Sequence, residues 1–423
     1  MEAFDPVAYI NEPRWRSSRP GLERIAELMG RLGNPQDSLR FVHVAGTNGK
    51  GSTCAFLASI LQRAGYKTGL FTSPYIIEFS DRIRVNGENI SPEDLLAVTL
   101  DVREEAEAMD DHPTEFELMT AVALLHFARV GCDICVLEVG LGGSMDSTNI
   151  IPAPEVCVIV PIDYDHTDLL GNTLTQIASE KAGIVKPGSV VVSAVQQPEA
   201  AAVLEAACER NGCALSYVDL DVLSGTPLCF SYGELSDLRI GLLGSYQTQN
   251  AALAIEAACA LRERGFAIGD DALREGLADT YWPGRFEVVA HYPTFIVDGG
   301  HNPQGAKALV DSLELNFPCR RVVFMMGVLR DKDYTFMVDT IAPLAEAFVC
   351  ITPPSPRALS AEDLAHVIDA SAACPSDASI EAATSIAEGV VRARQLAGPD
   401  GIVCACGSLY SIADIVSAIL RTA

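Results

Sequence analysis

The stretch His43-Val44-Ala45-Gly46-Thr47-Asn48-Gly49-Lys50-Gly51-Ser52-Thr53 gathers three glycines, one lysine and three hydroxyls in one short run. It follows a β-branched and aromatic segment that starts at Phe41. It also opens a helical pattern in which Phe56, Leu57, Ile60, Leu61 and Ala64 share a face, with Gly65 as the stop signal. A strand, a glycine-rich turn and a helix in that order build a cradle for phosphate. Glycines let main-chain N–H groups approach the anion, the helix N-terminus adds partial positive charge, and a hydroxyl reaches a magnesium ion. Thr47, Asn48, Gly49, Lys50, Gly51 and Ser52 are therefore the expected phosphate contacts. The spelling departs from GxxxxGK[ST], because Val44 holds the first glycine position and Gly51 separates Lys50 from Ser52. A plain turn with a solvated Lys50 is the competing reading; agreement of strand, turn and amphipathic helix favours the cradle.

Other chemistry-bearing residues stand where strands are expected to end, which is where open α/β sheets bind ligands. Glu138 closes an apolar run, as a metal ligand or as a lone edge carboxylate. His166 follows the run Val156–Pro161, as a ligand or as a histidine satisfied on the approach to a helix. Ser73 precedes Pro74, where a turn-forming serine is common. Thr173-Leu174-Thr175-Gln176 matches a capping box, so a helix should begin at Leu174. Leu174, Ile177, Ala178 and Ala182 then form its apolar face, and Lys181 points the same way. An inward lysine must snorkel, pair or lose its proton. Asp298-Gly299-Gly300-His301-Asn302-Pro303 reads as a strand-to-helix turn, either structural or ligand-binding.

The loop GTNGKGS is followed in order by Thr72-Ser73-Pro74, Leu137–Gly143 (LEVGLGG), Asp165-His166-Thr167, Glu180–Ile184 (EKAGI), Pro283-Gly284-Arg285 and Asp298–Pro303. This series resembles the folylpolyglutamate synthase and dihydrofolate synthase family of the wider Mur-ligase superfamily. The resemblance implies an ATP-dependent amide ligase adding L-glutamate to dihydropteroate or to tetrahydrofolate polyglutamates through an acyl phosphate. It implies ATP and Mg²⁺ as cofactors and also allows K⁺. It assigns metal ligation to Ser52, Ser73, Glu138 and His166, and nucleotide contacts to Asn250, Arg285 and Asp298. Lys50, Lys181 and His301 become the catalytic positions, with Lys181 carbamylated and His301 near the acyl phosphate and the incoming glutamate. Ser408 matches a glutamate-site serine, while Phe116, Glu117 and Asp146 match the acceptor side of bifunctional bacterial relatives. Three positions depart from the family pattern: Ser144 where arginine is common, Tyr75 where histidine is frequent, and Gly300 where alanine is usual. A Mur-type ligase acting on a nucleotide-linked cell-wall precursor is the nearest alternative. Only about 40 residues precede the loop, too few for the additional N-terminal domain such ligases carry. A nucleotide-binding regulatory module without chemistry is the alternative of another class.

The elements that must position these residues alternate between strand and helix, the signature of a parallel sheet covered on both faces. Strands are expected at Phe41–Ala45, Thr68–Thr72, Ile134–Gly140, Val156–Pro161 and Ser189–Ala194, and antiparallel strands within Leu220–Leu243. The pattern breaks near Tyr281–Arg285, and strands resume at Phe295–Val297, Val322–Met326, Ala347–Ile351 and Ile402–Ala405. The expected class is α/β: an N-terminal phosphate-loop, parallel-sheet ATPase domain (1–284), then a smaller doubly wound, Rossmann-like α/β domain (285–423). Two domains suit 423 residues, of which 49% are hydrophobic and 20% charged. A net charge of −26 disfavours nucleic acid and anionic membrane as partners, leaving small-molecule substrates. The start Met1–Pro6 has no signal-peptide pattern and no run reaches about 18 apolar residues, so a cytoplasmic location is expected, as is a monomer. The 13 cysteines, scattered and odd in number, read as reduced and buried rather than as disulfides or a zinc site.

Overall fold

The computed structural model describes residues 4–15 and 19–421; Met1–Ala3, part of the N-terminal reading above, lie outside the described residues. Among the described residues the strands form three sheets. The first contains β1 (Phe41–Ala45), β2 (Thr68–Phe71), β3 (Ile83–Val85), β4 (Glu88–Asn89), β5 (Ile134–Glu138), β6 (Val156–Ile159), β7 (Val190–Ser193) and β8 (Ala214–Tyr217). Its order is β4-β3-β2-β5-β1-β6-β7-β8. The strands from β2 across to β8 run parallel, while β3 and β4 add an antiparallel margin.

The central strand β1 is buried along its whole length and alternates its side chains between two apolar layers. Val42 and Val44 pack with Phe56, Leu57 and Ile60 of the helix Lys50–Arg63, while Phe41 faces a layer containing Leu118, Val122 and Leu137. Burial on both faces explains the unbroken apolar runs that made these strands readable. The margins β3, β4 and β8 were not expected. They are short and partly exposed, so they lack that run.

The segment 220–243 forms the expected antiparallel sheet, with β9 (Leu223–Thr226), β10 (Cys229–Tyr232) and β11 (Leu235–Leu238). The third sheet contains β12 (Glu287–His291), β13 (Thr294–Val297), β14 (Val322–Met326), β15 (Ala345–Cys350), β16 (Ser379–Ala382) and β17 (Ile402–Cys406), in the order β12-β13-β17-β14-β15-β16. Phe295–Val297 was expected to lead this unit. Instead β12 precedes it as an antiparallel edge whose residues are only half buried. Phe295, Val297, Val323 and Met325 face one layer with Val390 and Ile415; Ile296, Phe324 and Met326 face the other with Leu309 and Leu364. Both faces are covered, as in a doubly wound sheet.

Candidate active site

The loop 46–49 leaves the end of β1, beside the ends of β5 and β6, and its backbone explains two of its glycines. Gly46 sits at φ 140°, and a Cβ there would lie 2.2 Å from Val160 Cγ2. Gly49 sits at φ 98°, and a Cβ there would lie 2.5 Å from Asn250 Oδ1. No other residue fits either position without moving its neighbour. The helix Lys50–Arg63 then starts without a side-chain cap, so its first N–H groups face the loop. Lys50 Nζ donates to the carbonyls of Gly46 (3.2 Å) and Thr47 (3.1 Å). Lys181 Nζ, buried as expected, donates to the same Gly46 carbonyl at 2.7 Å. Burial, followed by the nearby Lys50 charge, pulls the Lys181 ammonium down to about 7. Its helix is capped by Thr173, but the box is one-sided: Gln176 Oε1 accepts from Asn172 N, not from the Thr173 backbone.

Glu138 is buried, and burial raises its carboxyl above the ordinary range, opposed by Lys50, the Ser73 amide and Arg285. Its Oε2 accepts from Ser73 N at 3.2 Å. Ser52 Oγ accepts from Gln247 Nε2 at 3.1 Å. His166 stands next to Asp165, whose Oδ1 pairs with Lys332 Nζ at 2.7 Å. Burial alone would raise Asp165, yet His166 and Lys332 outweigh it and hold the carboxyl below its ordinary range.

The facing wall comes from the turn after β13. Asp298 Oδ2 accepts from Phe286 N (2.9 Å) and its Oδ1 from Gly300 N (2.7 Å). Burial raises this carboxyl, with Arg285 opposing. His301 Nδ1 lies 2.9 Å from the Gly299 carbonyl, so Nδ1 carries the proton and Nε2 keeps its lone pair. Burial, then Lys332, lowers the imidazole to about 4 and keeps it neutral. Asn302 caps the helix Pro303–Asn316 through Gly305 N (2.8 Å) and exchanges side-chain hydrogen bonds with Asn48 of the loop in both directions.

Every position expected to bind nucleotide or metal or to act in catalysis lines one cavity of about 270 Å³. A second cavity of about 580 Å³ adjoins it, sharing Ser73, His166 and His301. Phe116, Asp146 and Ser408 line this second space. Glu117 does not line it. Its Oε2 caps Thr114 N (2.7 Å) and pairs with Arg24 Nε (3.1 Å), behind the cavity wall. Arg82, Lys332, Arg357 and Tyr410 also line the second cavity and went unnoticed in the sequence. The Arg82 guanidinium lies 5.0 Å from the Tyr75 ring centre and Arg357 pairs with Asp331 at 2.8 Å.

The donor set fits magnesium. Among the described residues no three His, Cys, Asp or Glu side chains group closely enough to hold a metal by themselves. Two hydroxyls, one carboxylate and one imidazole form a sparse and mostly oxygen set, suited to a cation that also takes phosphate oxygens and water.

A parallel sheet carrying a glycine cradle, faced across a cleft by a second α/β unit presenting an acid, a histidine and a capped helix, defines a phosphate-loop ligase of the Mur type. The Mur ligase middle-domain model matches residues 44–258, and the Mur ligase glutamate ligase domain model matches residues 284–409. The chain is 42% identical to the dihydrofolate synthase/folylpolyglutamate synthase of Bacillus subtilis, over 97% of this chain and 98% of that one. The structure of E. coli FolC in complex with DHPP and ADP is similar with a TM-score of 0.88 at 30% identity, covering 100% of this chain and 99% of that one. A bifunctional folylpolyglutamate synthase/dihydrofolate synthase with Mn, AMPPNP and L-glutamate bound gives a TM-score of 0.85 at 29% identity, covering 99% and 98%. The chain belongs to the dihydrofolate synthase/folylpolyglutamate synthase family.

Proposed function

We infer that this chain is an ATP-dependent ligase that joins L-glutamate to dihydropteroate and to tetrahydrofolate polyglutamates. The observation that carries the reading is the pair of joined cavities. One holds the phosphate cradle, the other holds Phe116 and Asp146, and His301 stands where they meet. The acceptor carboxylate attacks the γ-phosphorus of ATP, and ADP leaves with the β–γ bridging electrons. The glutamate amine then attacks the acyl carbon, and phosphate leaves as the amide forms. Loop amides and Lys50 stabilise charge on the transferring group. Ser52, Ser73, Glu138 and His166 would hold a divalent cation, which supplies charge neutralisation on the phosphate oxygens. His301, neutral with Nδ1 donating to the Gly299 carbonyl, offers Nε2 as a hydrogen-bond acceptor to the incoming glutamate amine; at about 4 its pKa suits orienting that amine rather than carrying its proton away. Asp146, beside Phe116, offers its carboxylate to N–H donors of the acceptor's heterocycle. Ser408 faces the glutamate.

Lys181 belongs to the same reading as a carbamate: its neutral amine attacks CO₂, a proton leaves, and an anion remains beside the metal position. No residue set described above selects K⁺, and it is assigned no step. The units divide at Gly284 and Arg285, giving 1–284 for nucleotide and acceptor and 285–423 for glutamate. One chain completes both cavities, which supports a monomer, and thirteen free cysteines support a reducing, cytoplasmic setting. The deciding experiment supplies purified protein with MgATP, L-glutamate and, in separate arms, dihydropteroate, tetrahydrofolate or a nucleotide-linked cell-wall precursor. Acceptor-dependent phosphate release with a glutamate-extended product is expected. Release only with a nucleotide-linked cell-wall precursor, or none at all, overturns the reading.

A further inference from the structure

His43 opens the motif that carries the phosphate cradle, yet nothing above gives it a task. It lies on β1, between residues whose side chains pack on the opposite face, and it is fully buried beneath the loop. Its Nε2 stands 2.8 Å from Thr148 Oγ1. Thr148 Oγ1 in turn stands 2.5 Å from Asp146 Oδ1, which also accepts from Thr148 N at 3.0 Å. Asp146 Oδ2 accepts from Leu141 N at 2.8 Å. Both carboxylate oxygens are therefore held, and the group looks into the second cavity beside Phe116. A Cβ at Gly140 would meet both, at 2.4 Å from Phe116 Cζ and 3.1 Å from Asp146 Oδ2.

The direction of this chain of hydrogen bonds follows from counting protons. Burial raises the Asp146 carboxyl and its three donors oppose that rise; as the anion it can only accept, so the single Thr148 O–H points to Asp146. Thr148 Oγ1 must then accept from His43, which fixes the proton on Nε2. His43 Nδ1 is left buried without a hydrogen-bond partner, the mark of a ring held in one tautomer for the sake of its other nitrogen. Burial, then the Lys186 charge, lowers this imidazole to about 3, so it stays neutral across the working range. The flanking chain is pinned as well. Lys186 Nζ donates to the carbonyls of Asn149 (2.7 Å) and Ile151 (2.5 Å), and Asn149 Nδ2 donates to those of Ser144 and Gly183 (3.1 Å each).

We propose that His43 is a positioning residue for acceptor binding, acting through the Thr148 hydroxyl to orient the Asp146 carboxylate from the strand that also launches the nucleotide loop. The proposal rests on the acceptor reading of Asp146 given above. Its test begins with wild-type kinetics: acceptor-dependent phosphate release and a finite KM for dihydropteroate must be present, and their absence strikes the acceptor reading rather than this relay. Thr148→Val removes the hydroxyl at nearly constant shape. It is expected to raise the dihydropteroate KM about tenfold or more, with kcat changed less than KM. ATP affinity, measured separately by calorimetry, is expected to stay within about twofold of wild type. Thr148→Ser is expected to restore the acceptor KM. His43→Phe is expected to reproduce the loss, and the double variant with Thr148→Val to lose no more than either alone. If His43→Phe does not fold, the two Thr148 variants decide. A wild-type acceptor KM in Thr148→Val, a matching fall in ATP affinity, no rescue by serine, or additive losses in the double variant would each overturn the proposal.

Discussion

Burial raises the Glu138 carboxyl above its ordinary range, and Lys50, the Ser73 amide and Arg285 work against that rise. Lys50→Ala and Glu138→Ala should each lower ligation at least 100-fold, on the order of 3 kcal/mol of transition-state stabilisation. Their thermal melting should remain cooperative; wild-type turnover in either variant sinks the assignment. Lys181 has its pKa pulled from 10.5 to about 7, so it is protonated below that pH and a free amine above it. Only the free amine captures CO₂. The carbamate mass increment in bicarbonate buffer should therefore grow between pH 6 and pH 8, and Lys181→Ala should lose activity. Full activity of Lys181→Ala at low bicarbonate removes the carbamate from the mechanism. These residues were legible because each sits in a contiguous motif. Arg82, Arg357, Lys332 and Tyr410 were not, since packing alone brings them together from separate segments. Glu117 has a capping role that its motif also spells, since an acid three residues after threonine at a helix start is the pattern of a capping box.

Central strands were readable and marginal ones were not. β1, β5, β14 and β17 are buried at every residue, whereas β4, β8, β12 and β16 are mostly half-exposed and carry no sustained apolar run. The contacts that close the cleft were equally invisible, because they join elements distant in sequence. The Lys332–Asp165 pair ties the segment after β14 to the segment after β6, and both side chains are largely buried. Lys332→Met leaves Asp165 with only His166 beside it and should cost about 3 kcal/mol or less, read as a lower denaturation midpoint with a higher glutamate KM. Adding Asp165→Asn should recover part of that loss. Since the Asp165 carboxyl is held below its ordinary value of 3.8, the pair contributes fully above that pH and is lost as pH falls further. The difference between wild type and Lys332→Met should accordingly be full at pH 7 and shrink below about pH 4. A difference that grows on acidification would contradict this assignment.

A body with a net charge of −26 repels both ATP and glutamate-rich acceptors, so local charge decides which acceptor is used. Ser144 donates to the Glu180 carboxylate at the rim of the second cavity, and among the described residues Glu180 has no ion-pair partner. The Glu180 charge at that rim opposes polyglutamate tails more than dihydropteroate, which carries one carboxylate, while Arg82, Lys332 and Arg357 elsewhere in the same cavity attract both acceptors. Dihydropteroate should have the higher kcat/KM. Ser144→Arg would pair with Glu180 and should improve the folate reaction preferentially; equal gains for both acceptors, or none, would refute it. The reciprocal hydrogen bonds between Asn48 of the nucleotide loop and Asn302 of the facing helix have a consequence for the molecule as a binding instrument. A ligand that shifts the loop must also shift the cap of that helix, so occupancy on one side of the cleft carries a coupling free energy to the other. Thermodynamic reciprocity then fixes a relation between two independent titrations. Whatever factor nucleotide applies to the Kd for glutamate, glutamate must apply to the Kd for nucleotide, and Asn302→Ala should drive both factors toward one together.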